Sequence, residues 1–214
     1  MQLGRELNAT DDRHRFEPFV AAHPARPVVE GKQIDPFRVY MDRSRHQLKA
    51  NTAERVPRRL RLAYRDVASA TNRLTLIAAL IPPRAVTTHT LFCLKTPTPA
   101  DVQHVLCGLL NSYVANYLVR LRVNTHVTAS LVSRLPVPVI GRGDPAFERL
   151  SALVRALISA STSAEEMDEY AELQALAAQL YGLSSREFEH VLSTFPLVST
   201  SVRSRVLSSF NHLQ

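Results

Sequence analysis

From Val102 to Leu121, apolar residues recur at offsets of three and four: Val102, Val105, Leu106, Leu109, Leu110, Tyr113, Val114, Tyr117, Leu118 and Leu121. That spacing predicts one long amphipathic helix. Thr98 is the expected N-cap, Pro99 suits the first helical position and Asp101 falls in the first turn. The opposite face carries His104, Asn111, Asn116 and Arg120, so the helix is expected to pack on protein and not in lipid. No apolar run approaches the roughly 20 residues that span a bilayer. A helix with one apolar side needs a second layer to cover it.

The segment before the helix offers that layer as a sheet. Arg38 to Met41 reads as a short strand. Leu60, Leu62 and Tyr64 alternate with other residues as in a half-buried strand. Leu74 to Ile81 reads as a buried strand ended by Pro82-Pro83, and Thr88 to Leu94 as another, stopped by Pro97 and Pro99. Residues 1–37 are expected to be extended segments and loops, and 42–58 a charged loop. Beyond the helix, the two prolines of Leu135-Pro-Val-Pro-Val139 forbid helix. After them every signal is helical. Asp144-Pro145 opens one helix; Glu165 to Tyr181 forms the next, closed by Gly182. Ser184 with Glu187 makes a capping box for a third helix through Phe195, and Ser201 to Leu213 a last short one. The expected division is an α/β part over 1–140 and a helical tail over 141–214.

Charge is unevenly spread. The chain of 214 residues carries a net charge of +7, and the whole excess lies in its first 99 residues. From Arg38 to Arg73, basic residues outnumber acidic ones ten to three. Only Lys32, Lys49 and Lys95 are lysines; the rest are arginines, whose forked guanidinium matches phosphate oxygens and the guanine edge. The same excess is also what a solvated basic face would show. The first residues, MQLGRELNATDDRHRF, have no hydrophobic stretch of a secretory signal. Cys93 and Cys107 are too few and too far apart for a metal knuckle or redox pair. The expected setting is cytoplasmic and reduced, with no membrane contact.

Catalytic constellations fail in turn. Ile81-Pro82-Pro83-Arg84 has the prolines of a base-gripping motif without the polar residue before or the aromatic after. Gly141-Arg142-Gly143 reads as a turn feeding the Asp144 N-cap rather than a cofactor cradle. Glu30-Gly31-Lys32, with Asp12 upstream, matches the Glu-x-Lys of a nuclease, a tripeptide common by chance. His46, His89, His104 and His126 do not cluster with carboxylates at ligand spacing. No catalytic, cofactor or metal residue is therefore assigned.

Recognition remains. Tyr64-Arg65-Asp66 leads to Thr71-Asn72-Arg73, and Asn124-Thr125-His126 follows the long helix. Arginine pairs bidentately with guanine and asparagine with adenine. Arg65 with Asp66 reads equally as an ion pair holding a turn, and Asn72 as a turn residue.

Several stretches, in order, resemble the C-terminal target-recognition region of N6-adenine DNA methyltransferases, above all the large fused enzymes of type IIG restriction–modification and related phage-defence systems. They are Glu30-Gly-Lys-Gln-Ile34; Tyr64 to Asn72 running into Thr75 to Pro82; Leu110-Asn-Ser-Tyr113 with Arg120 and Asn124-Thr-His-Val-Thr128 before Leu135-Pro-Val-Pro138; and Leu180-Tyr-Gly-Leu183 with Phe188 and Leu192 to Phe195. The ending also looks like that of type I specificity subunits. The resemblance implies an α+β fold, a small mixed sheet with a long packing helix followed by a C-terminal helical bundle. It implies that double-stranded DNA is the partner. S-adenosylmethionine and methyl transfer would belong to a catalytic domain upstream or in trans. The expected DNA-binding residues are Arg58, Arg59, Arg61, Arg65, Asn72, Arg73, Asn124 and His126. Because recognition positions vary within that family, the resemblance also allows base readers in loops 42–58 and 84–88.

Two competitors stand beside this reading. One is a protein–protein interaction or scaffold module docking through its helical tail, whose binding would survive loss of Arg58, Arg59 and Arg61. The other is a metal-dependent nuclease using Glu30 and Lys32.

Overall fold

A computed structural model describes residues 2–21, 26–52 and 56–213. The parts of the expected loops at 22–25 and 53–55 lie outside the described residues. Among the described residues, ten short strands, with 3-10 turns between some of them, precede seven α-helices. The strands are β1 (Leu3–Gly4), β2 (Phe16–Pro18), β3 (Val28–Val29), β4 (Ile34–Asp35), β5 (Arg38–Val39), β6 (His46–Leu48), β7 (Arg61–Arg65), β8 (Ala78–Ile81), β9 (Val86–Thr87) and β10 (Leu91–Leu94). The helices are α1 (Ala100–Leu110), α2 (Tyr113–Arg120), α3 (Ala129–Ser133), α4 (Pro145–Ser159), α5 (Asp168–Leu180), α6 (Ser185–Ser193) and α7 (Thr200–Leu213). None of the helices is long and apolar enough to cross a membrane among the described residues. The fold is α+β with a C-terminal helical region, as expected.

The main sheet has the order β1-β10-β7-β8 and is antiparallel throughout. Parallel pairing occurs in a separate ladder, β3 with β9. Strand β7 is buried on both faces, not one: Arg61, Leu62, Ala63 and Tyr64 are each at most 2% exposed. Helix α1 covers β7 and β8, and the β4–β5 hairpin also packs on β8. The strand expected over Leu74–Ile81 forms only from Ala78. Residues 74–77 are buried but irregular, and a side chain takes the place of a neighbouring strand. Asn116 Oδ1 accepts from the Thr75 and Leu76 amides at 2.9 and 2.8 Å, and its Nδ2 donates to the Leu76 carbonyl at 3.1 Å. Asn111 does the same for Ala78, accepting at 2.9 Å and donating at 2.9 Å.

The long helix breaks in two. Asn111 ends α1, and the Ser112 hydroxyl caps α2 by accepting from the Ala115 amide at 3.1 Å. Buried Gln174 of α5 fills the gap, accepting from the Tyr113 amide at 2.7 Å and donating to the Asn111 carbonyl at 3.1 Å. A buried break needs such a partner, because helix ends leave backbone groups unpaired. Pro99, not Thr98, occupies the N-cap position.

Packing crosses the expected boundary at residue 140. One apolar cluster runs from Val29 through α1 and α2 to Phe210, and α1 packs on α4. A second, smaller cluster of Leu7, Phe16, Val28, Leu48 and Val86, with Val56 against it, lies where β2 pairs with β6 and β3 with β9.

Candidate nucleic-acid interface

Strand β7 sorts the expected site residues into two groups, one at each of its ends. Past its C-terminal end, the loop of residues 66–73 lies against the loop of 121–128. The Ala68 amide donates to the Thr125 carbonyl at 3.2 Å and the Val127 amide to the Asp66 carbonyl at 2.7 Å. Asp66, only 3% exposed, ties the pair further. Its carboxylate takes the Arg5 guanidinium at 2.6 Å and lies 3.3 Å from His126 Nδ1. Arg5 also stacks over Phe92, 4.7 Å from the ring centre. The structure thus brings Asn72 and Arg73 onto the same edge as Asn124 and His126, and all four are exposed. Val67, Thr71 and Thr125 are exposed beside them.

Arg120 holds this edge to the helical region. Its guanidinium donates to the carbonyls of Asn72, Arg73 (2.9 Å) and Thr194 (2.7 Å) and to Thr75 Oγ1 (3.1 Å). It also sits 4.0 Å from the centre of the Phe195 ring. Burial lowers the Arg120 pKa.

A cleft of about 670 Å³ opens beside the loop pair, with Arg38, Tyr40, Arg65, Asn72, Arg73 and Glu165 on its walls. Its arginines are already engaged. Arg65 donates to the Gly31 carbonyl at 2.8 Å and to the Ile34 carbonyl, and lies 3.5 Å from Asp35. Burial lowers its pKa, with Asp35 opposing. Arg38 donates to the carbonyls of Ala160 at 2.8 Å and Ser161 at 3.3 Å. Arg73 pairs with Glu165, which raises its pKa. Part of the arginine excess therefore rivets the sheet to the helices.

At the other end of β7 the expected group divides. Arg58 is exposed. Arg59 donates to the Lys95 carbonyl. Arg61 points inward, against expectation: it is 2% exposed, pairs with Glu6 at 2.9 Å and donates to the Ala85 carbonyl at 2.7 Å. Burying a guanidinium requires a counter-charge, and Glu6 supplies it. Arg61 cannot reach a partner's surface in this arrangement.

The alternative constellations do not assemble. Glu30 and Lys32 pair with each other at 2.6 Å, and Glu30 caps the 3-10 turn of Gly31–Gln33. Asp12 accepts from the Asn8 amide at 2.7 Å and pairs with Arg15. Among the described residues, no three His, Cys, Asp or Glu side chains are grouped to hold a metal ion. Gly141-Arg-Gly143 is an open turn, and a Cβ added at either glycine meets nothing within 4 Å. Such a turn is open rather than a close-packed glycine cradle.

Among known proteins, no family model and no curated protein matches the sequence. The fold does have solved counterparts. It is similar to part of a Type IIL restriction–modification enzyme, MmeI, solved in complex with DNA, with a TM-score of 0.59 and 13% sequence identity. The match covers 98% of this chain and 34% of that one, so the chain spans about a third of the enzyme's length. At that identity the likeness is one of fold.

Several residues at these surfaces escape sequence reasoning. Arg5 and Arg26 are isolated in the sequence and reach their surroundings only through tertiary contacts. One local signal existed for Arg84: it follows Pro82-Pro83 at a turn, and its φ of 71° is left-handed.

Proposed function

We propose that this chain is a sequence-specific recognition module for double-stranded DNA, the non-catalytic part of an adenine-N6 DNA methyltransferase or restriction–modification enzyme. Methyl transfer and S-adenosylmethionine binding fall to a catalytic domain linked to it or acting in trans. The observation that carries this reading is the paired loop edge. Asn72, Asn124, Thr125 and His126 present short, exposed donors and acceptors from two loops held together by backbone bonds and by buried Asp66. Base edges are read by such groups, held rigid on a scaffold. The likeness in fold to a restriction–modification enzyme that binds DNA supports the same reading.

Phosphate and base contacts separate experimentally. A variant carrying Asn72→Ala, Asn124→Ala and Thr125→Ala should lose preference for its target sequence. Its non-specific binding and the salt slope of that binding should stay unchanged, because none of the three side chains carries charge. Equal loss of specific and non-specific binding would contradict a reading role for the edge.

A further inference from the structure

At the end of β7 away from the reading edge, three distant segments of chain meet. The Arg84 amide donates to the Pro57 carbonyl at 2.8 Å, the Val86 amide to the Pro27 carbonyl at 3.0 Å, and the Leu48 amide to the Arg26 carbonyl at 2.9 Å. These bonds gather Arg26, Arg58 and Arg84, with Val56 and Pro83, around a concavity of about 400 Å³. No carboxylate lines it among the described residues. Arg26 donates to the Lys49 carbonyl, and Arg58 and Arg84 are exposed. Elsewhere the arginines near acids are paired: Arg5 with Asp66, Arg61 with Glu6, Arg73 with Glu165, Arg142 with Asp101 and Arg149 with Glu172. Three like charges gathered round one concavity repel one another, and a bound anion lowers that cost. Arg84 is also held in a left-handed conformation that non-glycine residues rarely adopt. Strained residues of this kind cluster where a ligand is gripped.

We propose that Arg26, Arg58 and Arg84 form a cradle for a backbone phosphate of duplex DNA. This rests on the DNA-recognition reading above and assigns one of its anchoring contacts. Guanidinium forks bind phosphate oxygens in pairs, and among the described residues no Asn or Gln lines the concavity to read a base. The cradle and the loop edge lie beyond opposite ends of β7, so the two would touch different parts of one duplex.

The test uses the full chain and a fluorescent duplex containing the selected target, titrated from 50 to 200 mM salt. Arg58→Ala with Arg84→Ala takes away two of the three arms on that phosphate and should lower the salt slope by about one, the loss of one neutralised phosphate. The fall in affinity across that salt range then shrinks roughly three- to fourfold. A charge-matched control, Arg134→Ala with Arg186→Ala, removes two exposed arginines outside the cradle and should leave the slope within about half a unit. Arg84→Gly guards against misfolding. Glycine accepts the positive φ, so the melting temperature should hold or rise while the slope falls in the same direction, by no more than the double variant's. If the wild type binds and the double variant keeps its slope, or the control loses as much, the cradle is refuted and recognition stands. If the wild type binds no duplex even at 50 mM salt, both fall.

Discussion

Replacing Asn116 with alanine isolates the device that holds the paired loop edge in place. The side chain is fully buried and replaces a strand partner for residues 74–77, which lead directly out of the 66–73 loop. Alanine leaves the Thr75 and Leu76 amides and the Leu76 carbonyl without their side-chain partner. Each buried, unsatisfied group costs about 1–3 kcal/mol, and partial relaxation of three gives about 3–5 kcal/mol. For a chain of this size each kcal/mol lowers the melting temperature by about 2–4 °C, so a fall of about 10 °C is expected. Calorimetry measures it, and amide hydrogen exchange at Thr75 and Leu76 localises it. Asn124→Ala, at an exposed residue on the same edge, should shift the melting temperature by less than about 2 °C. A drop below about 3 °C for Asn116→Ala, with both amides still protected, would show that these backbone groups are satisfied without Asn116. The clamp would then not account for the loop's placement.

Two further outcomes follow from charge placement. Arg61→Ala should destabilise the fold by about 3–5 kcal/mol, read as a lower urea midpoint, because it strands Glu6 near the core. Well below that midpoint it should bind DNA like the wild type. Exposed Arg142 holds the Asp101 carboxyl down, from an ordinary 3.8 to about 2. A pKa depressed in the folded state stabilises above the unfolded value, and that contribution is lost as the pH falls from about 4 towards 2. Arg142→Ala should return Asp101 to the ordinary carboxylate range in a carbon-detected NMR titration and flatten stability across that window.

Local signals were legible wherever one residue sets one geometry. Asp144 caps α4 by accepting from the Ala146 amide at 2.8 Å, Ser184 and Glu187 form their box, and Gly182 takes a φ of 72°. The break between α1 and α2 was hidden because the apolar stripe continues through it unbroken. What ends α1 is a serine cap and a glutamine lying 61 residues further on. Asn111 and Asn116 sit at helix positions that read as a polar face, yet they turn to the sheet because residues 74–78 lack a neighbouring strand there. Arg61 alternates with leucines as an outward residue would, but both faces of β7 are covered and its partner Glu6 lies 55 residues upstream. The candidate site was half legible. Asn72, Arg73, Asn124 and His126 could be named, but not that two loops would join them. The Arg26–Arg58–Arg84 cradle draws on three segments that only tertiary contacts bring together.

The most direct measurement is selection of duplexes from a random-sequence library by the purified chain, repeated across a salt series without S-adenosylmethionine. The account predicts salt-sensitive binding that enriches one short motif, with the enrichment lost when Asn72, Asn124 and Thr125 are replaced by alanine. Binding with no enriched motif, or none at low salt, would contradict sequence recognition by this chain.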